Sequence, residues 1–216
     1  MGLDPVAGGF YTVREAARLL RVDSTQRIRG WVAGYKTNNA GPIIKRQYAP
    51  VKGIHEVGFL DLMEMRFIDH FRKQNISLQS LRRAAKNARK EMKQDHPFAT
   101  SNVLFMTDRK EVFLHTAKQE GDHFLLNLMT NQIEIYEALE KVLAAGVEFD
   151  PHTGVAKRWI PISECPNVIV DPRVAFGRPV VEPKRVPTSV IFALWSAEDG
   201  NTEAVAKWFH VEPKAV

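Results

Sequence analysis

The chain has 216 residues, of which 44% are hydrophobic, and it carries a formal net charge of +5 with an isoelectric point near 9.3. This size permits more than one domain with its own core, and the moderate positive charge suits an anionic partner without requiring one. No apolar run approaches the roughly 20 residues of a membrane-spanning helix, and the single cysteine, Cys165, excludes an internal disulfide and a cysteine zinc cluster.

Residues 10–35 have the pattern of two short helices joined by a tight turn, which is the spacing of a helix-turn-helix. Thr12 and Glu15 are placed as a capping box, so a helix is predicted to begin at Val13. Ser24 can cap the second helix. The predicted apolar face of that second helix consists of Ile28, Trp31 and Val32.

Polar side chains cluster on the opposite face and at the start of this second helix, where a helix-turn-helix meets base edges. Arginine and glutamine can each make two hydrogen bonds to one base in the major groove. The DNA contacts predicted from the motif are Arg14, Ser24, Thr25, Gln26, Arg27 and Arg29. The alternative is that these arginines form an ordinary solvated helical face.

Two short β-prone pieces flank residues 50–53 and predict a wing. The cations on or beside this wing, which suit phosphate contacts, are Lys45, Arg46 and Lys52. Helical spacing then predicts one helix over residues 59–74, a break at Asn75 and a second helix capped by Ser77. Cations on this second helix would suit a phosphate backbone, although such strips are usually solvated surface. They are Arg82, Arg83, Lys86, Arg89, Lys90 and Lys93.

The order of these parts resembles the N-terminal DNA-binding unit of MerR-type regulators over residues 11–92. The similarity lies in YTVREAARLLRV, QRIRGWV, the wing and FLDLMEMRFIDHFRKQNISLQSLRRA. It implies a winged helix-turn-helix domain over residues 1–95 that binds double-stranded DNA. Because one winged unit reads only a few base pairs, we also expect a homodimer, joined through the helix of residues 77–92 or through a central sheet.

From residue 96 onward the periodicity changes from helical to mixed, which predicts a small α+β unit over residues 96–165. Hairpins are predicted over residues 102–117 and 147–162, with a helix over residues 131–145 between them. In the second hairpin, the candidate buried residues are Val147, Phe149, Val155 and Trp159. We expect this unit to serve packing or dimerisation.

Residues 166–216 begin with a proline-rich lead-in. A helix capped by Thr188 or Ser189 should follow, then a helix from Thr202 and a third that opens at Pro213. Three short helices in this order predict a small homeodomain-like unit. The third predicted helix has only its first turn within this sequence. If it is the reading helix of this unit, base readout is expected to fall to the N-terminal motif; the alternative is that the helix has been truncated.

The motif order D-P-R, G-R-P-V-V and R-V-P-T-S-V, within residues 168–216, is similar to a prokaryotic family known as a domain of unknown function, many of whose members are VapB-like antitoxins. The resemblance implies a type II antitoxin that neutralises a PIN-like ribonuclease toxin and represses its own operon. An inhibitory arm needs apolar side chains for a groove and an arginine for acidic metal-binding carboxylates. The toxin contacts predicted in the lead-in are Arg173, Phe176, Arg178, Val180, Lys184 and Arg185. The alternative is that the lead-in wraps the protein's own core and its arginines bind local groups.

No catalytic pattern is present in the sequence: the seven histidines are scattered, and H-E-x-x-H, a phosphate-binding glycine loop and a G-x-S-x-G elbow are all missing. We therefore expect no enzymatic activity, cofactor or metal, and Cys165 is expected to be inert. The chain is expected to be α+β, mainly α, and to act in the cytoplasm at the nucleoid, with no membrane partner. The alternatives are a stand-alone MerR-like transcriptional regulator without a toxin, and an adaptor whose winged helix contacts protein.

Overall fold

The computed structural model describes residues 8–35, 39–49, 56–101, 115–119, 121 and 146–216. Over these residues the protein is mixed α/β and mainly helical, and its strands form two small antiparallel sheets. The helices are α1 (Val13–Leu20), α2 (Thr25–Ala33), α3 (Phe59–Lys73), α4 (Leu78–Met92), α5 (Thr188–Ala197) and α6 (Thr202–Phe209). The strands are β1 (Val147–Phe149), β2 (Ala156–Trp159), β3 (Val168–Ile169), β4 (Val180–Val181) and β5 (Val186–Pro187). A helix long and apolar enough to cross a bilayer is absent from the described ranges.

α1 and α2 begin where the sequence predicts, because their first turns are capped by side chains. The Glu15 amide donates to Thr12 Oγ1 at 3.1 Å, and the Thr12 amide donates back to the Glu15 carboxylate at 2.8 Å. The Arg27 amide donates to the Ser24 hydroxyl at 3.4 Å at the start of α2. Arg21, with φ of 52°, turns the chain between the two helices. The predicted capping box and the Ser24 cap are confirmed.

The predicted apolar face of α2 is also confirmed, since Ile28, Trp31 and Val32 are all buried. They pack in one hydrophobic cluster with residues of α1, α3 and α4. Truncating a large buried side chain such as Trp31 to alanine typically costs about 3–5 kcal/mol. Packing of this face therefore fixes which side of α2 is turned outward.

The segment predicted as a wing is held against the helices and forms no β-ladder in its described part, residues 39–49 and 56–58. The amides of Ile43 and Ile44 donate to the Trp31 carbonyl at 2.9 and 3.1 Å, near the end of α2. Both isoleucines are buried. In this described part the two β-prone pieces do not pair with each other, and most of the second piece lies outside the described residues.

Val57, on the far side of the predicted wing, pairs with Tyr11 just before α1, and each amide donates to the other carbonyl at 2.9 Å. Gln47 is fixed to the first turn of α3, because its amide donates to Asp61 at 3.1 Å and its side-chain oxygen accepts from the Leu60 amide at 2.7 Å. The tip of the predicted wing, including Lys52, lies outside the described residues.

α3 and α4 follow the prediction, including the break between them. Asn75 has a φ of 63°, and Ser77 Oγ accepts from the Ser80 amide at 3.0 Å at the start of α4. Beyond α4, a 3-10 turn (Pro97–Ala99) packs back on α3. Its Phe98 ring stacks on Phe67 with centroids 4.2 Å apart and planes 9° apart. Core packing therefore continues past residue 95, and the division into three domains stays a prediction.

β1 and β2 form the second predicted hairpin, with Val147 opposite Trp159. Its turn is closed by Asp150, whose Oδ1 accepts from the amides of His152 and Thr153 at 3.0 and 2.8 Å. Of the predicted buried positions, Trp159 is buried, whereas Val147, Phe149 and Val155 are only half-buried. Two strands alone leave one face partly open to solvent, which accounts for the difference.

The first predicted hairpin ends in a helical segment, because residues 115–119 are helical and residue 116 packs on α4. There the Asn87 side-chain amide donates to Thr116 Oγ1 at 3.3 Å. The strand predicted for residues 115–117 is therefore wrong. The rest of that prediction, and the helix predicted over residues 131–145, lie outside the described residues.

The C-terminal part contains the sheet β3-β4-β5, in that order, beside α5 and α6. α5 begins at Thr188, with Pro187 at the N-cap position and no side-chain cap, so the predicted capping by Thr188 or Ser189 is wrong. The Thr188 amide donates instead to the Pro179 carbonyl at 2.9 Å. α6 begins at Thr202 as predicted, and the third predicted helix is a short 3-10 turn (Pro213–Ala215).

Among the described residues, backbone hydrogen bonds join this C-terminal part to the rest of the molecule at two places, and an ion pair links Arg158 to Glu182. Trp159 of β2 pairs with Val170, and the two amide-to-carbonyl distances are 2.9 and 2.8 Å. At the other place, the Phe10 amide donates to the Phe176 carbonyl at 2.9 Å. Gly177 lies so close to the Tyr11 ring that a β-carbon at residue 177 would overlap the phenol.

Candidate nucleic-acid interface

The polar face of α2 is turned to solvent, as a DNA-reading helix requires. The exposed members of the predicted set are Arg14, Thr25, Gln26, Arg27 and Arg29. Ser24 is half-buried, since its hydroxyl caps the helix. The structure therefore brings four polar side chains together along one exposed side of α2, with Arg14 on the neighbouring α1.

Two neighbours lie near the Arg27 guanidinium, but neither accepts a hydrogen bond from it. Its Nη2 lies 3.8 Å from Asp69 Oδ1, and its guanidinium carbon lies 5.8 Å from the centroid of the Trp31 ring. The 3.8 Å separation is too long for a hydrogen bond, so the guanidinium donors remain available to another acceptor. The Arg27 side chain is 44% exposed. Its position is compatible with a bidentate contact to a base edge.

The carboxylate of Asp69 also binds Lys73, whose Nζ lies 2.7 Å from Oδ2. Lys73 itself is well exposed, whereas Asp69 is buried. The surface beside α2 thus presents two cations above one buried carboxylate. Such a surface favours a polyanion and could place Lys73 against a phosphate.

The cations predicted on the wing are less available than those of α2. Lys45 Nζ lies 2.6 Å from Asp95 Oδ1, with both side chains exposed. The hydrogen bond from Lys45 holds the pKa of Asp95 below its usual value. Because an exposed ion pair contributes only about 0–1 kcal/mol, a phosphate could replace Asp95. Arg46 is half-buried.

The strip of cations predicted on α4 divides into two groups. Arg82 Nε donates to the Gly41 carbonyl at 2.7 Å, and Arg89 Nη2 donates to the Ile43 carbonyl at 3.0 Å. These two arginines brace the segment that follows α2. The exposed members are Arg83, Lys86, Lys90 and Lys93.

Of the residues predicted to bind a toxin, Phe176 is exposed, whereas Val180 is buried and Arg173 is paired with Asp171. Phe176 is 61% exposed, and Arg178, Lys184 and Arg185 are exposed around the same lead-in. Val180 is 0% exposed because it lies in β4, where it pairs with β3 and β5. Its assignment as a contact residue is therefore wrong for this fold.

Arg173 is bound within the lead-in itself, as the alternative interpretation of the sequence proposed. Its Nε and Nη2 donate to the two Asp171 carboxylate oxygens at 3.0 and 2.7 Å. Burial alone would raise the pKa of Asp171, but the hydrogen bonds from Arg173 hold that pKa below its usual value. To reach a partner's carboxylates, Arg173 would have to leave this bidentate pair.

No protein-family model and no curated protein matches the chain. The fold itself has been seen before. A crystal structure of Rv2018 from Mycobacterium tuberculosis is similar to this chain with a TM-score of 0.70 and 22% sequence identity, and the match covers 95% of this chain and 94% of that one. At this level of identity the similarity shows a shared fold.

Sequence reasoning missed a buried polar cluster beneath the start of α3. Its three members are Asp61, Glu64 and His96, all of them buried. His96 Nδ1 lies 3.6 Å from Asp61 Oδ1 and 3.7 Å from Glu64 Oε2. The only local signal was an acidic residue in the first turn of α3, where the Gly58 amide donates to Asp61 at 2.8 Å.

Two members of this cluster, Asp61 and His96, bind protons more tightly than the same groups do in water. Burial raises the pKa of Asp61 to about 6, against the opposing effects of His96 and of two backbone amides. Burial would lower the pKa of His96, but the Glu64 and Asp61 carboxylates outweigh burial and raise it. Among the described residues, no three His, Cys, Asp or Glu side chains are arranged to hold a metal ion.

Proposed function

We propose that the protein binds double-stranded DNA through α2 and represses its own operon as the antitoxin of a PIN-like ribonuclease. In this proposal residues 1–95 act as a MerR-like helix-turn-helix domain, and residues 166–216 act as a VapB-like unit that carries the toxin-binding surface. The observation that supports DNA binding most directly is the exposed polar face of α2, on a helix whose other face is buried.

The geometry of α1 and α2 suits the major groove for physical reasons. Side-chain caps fix the start of each helix, and residues of both helices pack in one hydrophobic cluster. Gln26, Arg27 and Arg29 then offer donors to base edges. Lys73, which shares Asp69 with Arg27, and the exposed Arg14 of α1 are candidate phosphate contacts. Specific affinity from so small a surface needs two half-sites, so the proposal includes a homodimer.

For the antitoxin part, the supporting observation is Phe176, an exposed aromatic side chain in the lead-in. Exposed cations lie in the same segment at Arg178, Lys184 and Arg185. An aromatic anchor can fill a pocket on a partner, and guanidinium groups pair well with acidic metal-binding carboxylates of a nuclease. The toxin surface is thus proposed to be centred on Phe176, without Val180.

DNA binding is tested by titrating the protein with a duplex from its own upstream region at several salt concentrations. We expect the logarithm of the affinity to fall linearly with the logarithm of salt concentration. Arg27→Ala and Arg29→Ala should each cost about 1–3 kcal/mol and relax the sequence preference. Lys157→Ala, an exposed cation on β2, is the matched control. Equal binding to a scrambled duplex, with a flat salt dependence, would refute the assignment.

The antitoxin part is tested by co-expression with a ribonuclease encoded beside this protein. Wild type should restore growth, and Phe176→Ala should not. Trp208→Ala is the control, because Trp208 is 73% exposed on α6 and lies outside the lead-in. If both variants restore growth equally, the toxin surface lies elsewhere; if wild type fails, the antitoxin proposal is wrong.

A second candidate is a stand-alone MerR-like regulator without a toxin. It is favoured by the bidentate pairing of Arg173 with Asp171, which leaves the lead-in with fewer free donors than an inhibitory arm would use. This candidate predicts the same salt-dependent DNA binding, but no rescue from any neighbouring nuclease.

A further inference from the structure

A cavity of about 420 Å³ lies between the end of α1 and the C-terminal part of the molecule. Leu19 forms its wall on the α1 side. The facing apolar wall consists of Val168, Val181, Ile191 and Phe192. This volume is within the range of about 300–1,000 Å³ that is usual for small-molecule sites.

Three cations line the same cavity: Arg18 and Arg21 at the end of α1, and Lys214 in the final 3-10 turn. All three are exposed. Within the described ranges, no carboxylate forms an ion pair with any of them. The acid nearest in sequence to the cavity lining, Glu164, accepts a hydrogen bond from Ser163. Its own backbone amide and the Ser163 hydroxyl, and then the charge of Arg21, lower the pKa of Glu164. The cavity therefore combines apolar walls with three cations, of which Arg21 is partly offset by Glu164 without a direct ion pair.

This combination selects for one chemical class of ligand. Apolar walls favour a hydrocarbon or aromatic body, since they offer it dispersion contacts and release from water. Arginines favour a carboxylate, which a guanidinium can bind with two hydrogen bonds. A small inorganic anion would leave the apolar walls uncovered, and a neutral hydrocarbon would leave the cations unpaired.

We propose that this cavity binds a small organic acid, with its apolar body between Leu19 and Ile191 and its carboxylate at Arg18 and Arg21. A second cavity of about 340 Å³ adjoins the first and shares Arg18 and Leu19 with it. Arg18 thus lines both spaces, and the second one also has the acidic Glu15 in its wall. The site is independent of DNA or toxin binding, although its wall is the first helix of the proposed reading motif.

Cys165 provides a specific reporter, because it lines the cavity and is the only cysteine in the chain. The experiment measures the rate at which iodoacetamide alkylates Cys165 in the full-length protein, with increasing decanoate. Occupancy should slow alkylation in a saturable way, with an apparent Kd below about 1 mM. Decanol, which has the same chain without the carboxylate, should protect at least tenfold more weakly.

The variant Arg18→Gln/Arg21→Gln tests the carboxylate site, and Lys207→Gln is the control, because Lys207 is exposed on α6 and does not line the cavity. The double variant should raise the apparent Kd for decanoate at least tenfold and leave that for decanol unchanged. Lys214→Gln, at an exposed site, should raise the apparent Kd for decanoate by at least threefold. This variant tests the carboxylate site if the double variant does not fold. Absence of protection, or equal protection by decanol, or an unchanged Kd in these variants, overturns the proposal.

Discussion

His96 Nδ1 lies 3.6 Å from Asp61 Oδ1, and both side chains are buried. The pair joins the chain that leaves α4 to the first turn of α3, and Glu64 and Asp95 are the other acids that act on the imidazole. Because the pKa values of Asp61 and His96 are both raised, each group binds a proton more tightly in the folded protein than in the unfolded chain. The stability of the fold is therefore coupled to pH through this cluster.

The first prediction concerns that pH dependence. The contribution of Asp61 is present below its ordinary pKa of 3.8 and is lost as pH rises to about 6. The contribution of His96 is present below 6.5 and is lost above it. Through these two groups the free energy of unfolding should thus fall by on the order of 1–3 kcal/mol between about pH 4 and pH 8. Burial lowers the pKa of His70, so His70 opposes this trend below pH 6.5. Denaturant titrations at intermediate pH values measure this slope.

His96→Gln should flatten the slope above pH 6.5, and Asp61→Asn should flatten it below about 6. His152→Gln is the control, because His152 is exposed in the β1-β2 turn. The pKa values of Asp95 and Asp171 are lowered, so their contributions change only below 3.8, outside this window. Parallel slopes for wild type and His96→Gln would contradict the assignment.

A second prediction follows from the close approach of Gly177 to Tyr11. Gly177 has a φ of +82°, and a β-carbon there would lie 2.8 Å from Tyr11 Cζ. Gly177→Ala combines a strained left-handed backbone with overpacking, so it should lower the free energy of unfolding by about 2–4 kcal/mol. Gly41→Ala is the matched control, since a β-carbon at Gly41 meets nothing within 4 Å. Its effect should stay within about 0.5 kcal/mol in the same chemical denaturation assay.

A third prediction compares two tyrosines, of which only Tyr48 makes a hydrogen bond through its hydroxyl among the described residues. Tyr11 is 1% exposed, and among the described residues its hydroxyl has no hydrogen-bond partner. Burial strongly raises the pKa of this phenol. Tyr48, in contrast, donates from its hydroxyl to the Gly9 carbonyl at 2.8 Å.

Tyr11→Phe should therefore raise the free energy of unfolding by about 1 kcal/mol, because it removes a buried unpaired polar group. Tyr48→Phe should lower it by about 1 kcal/mol, because it removes a hydrogen bond. Thermal and denaturant unfolding of both variants under one set of conditions tests the contrast. Destabilisation by Tyr11→Phe as large as that by Tyr48→Phe would mean that the Tyr11 hydroxyl is satisfied.

The fourth prediction concerns the carboxylate of Asp69, which binds Lys73 and lies near Arg27. If α2 meets DNA as proposed, Asp69→Asn should strengthen binding by about twofold to fivefold, since a partly exposed pair is worth about 0.2–1 kcal/mol. Asp199→Asn, an exposed acid beyond α5, should leave the affinity unchanged. Duplex titrations at low and moderate salt compare the variants. Weaker binding by a folded Asp69→Asn protein would show that Asp69 positions Arg27 for the contact.

The sequence predicts features whose partners are close along the chain. The capping of α1 by Thr12, of α2 by Ser24 and of α4 by Ser77 depends on amides only three residues away. Helical spacing also places Ile28 and Trp31 on the buried face correctly. These features are local, and tertiary packing reinforces each of them.

Features that depend on distant partners were not predictable in the same way. Arg89 and Lys45 are both cations of the kind that bind phosphate. In the structure, however, Arg89 donates to the Ile43 carbonyl and Lys45 pairs with Asp95. Val180 is an apolar residue of the kind predicted to fill a groove on a partner, but its place in β4 buries it. His96 gives no sequence signal at all, because its acidic neighbours lie on α3, far back along the chain.

The hydrogen bond from the Phe10 amide to the Phe176 carbonyl has a mechanical implication for the proposed antitoxin. The donor precedes α1 by only a short stretch, and the acceptor belongs to the residue that would anchor a captured nuclease. A displacement of Phe176 on binding a nuclease would therefore act first on Phe10, just before the proposed DNA-reading helices. If both activities exist as proposed, toxin capture and operator occupancy would be coupled in part through this backbone hydrogen bond.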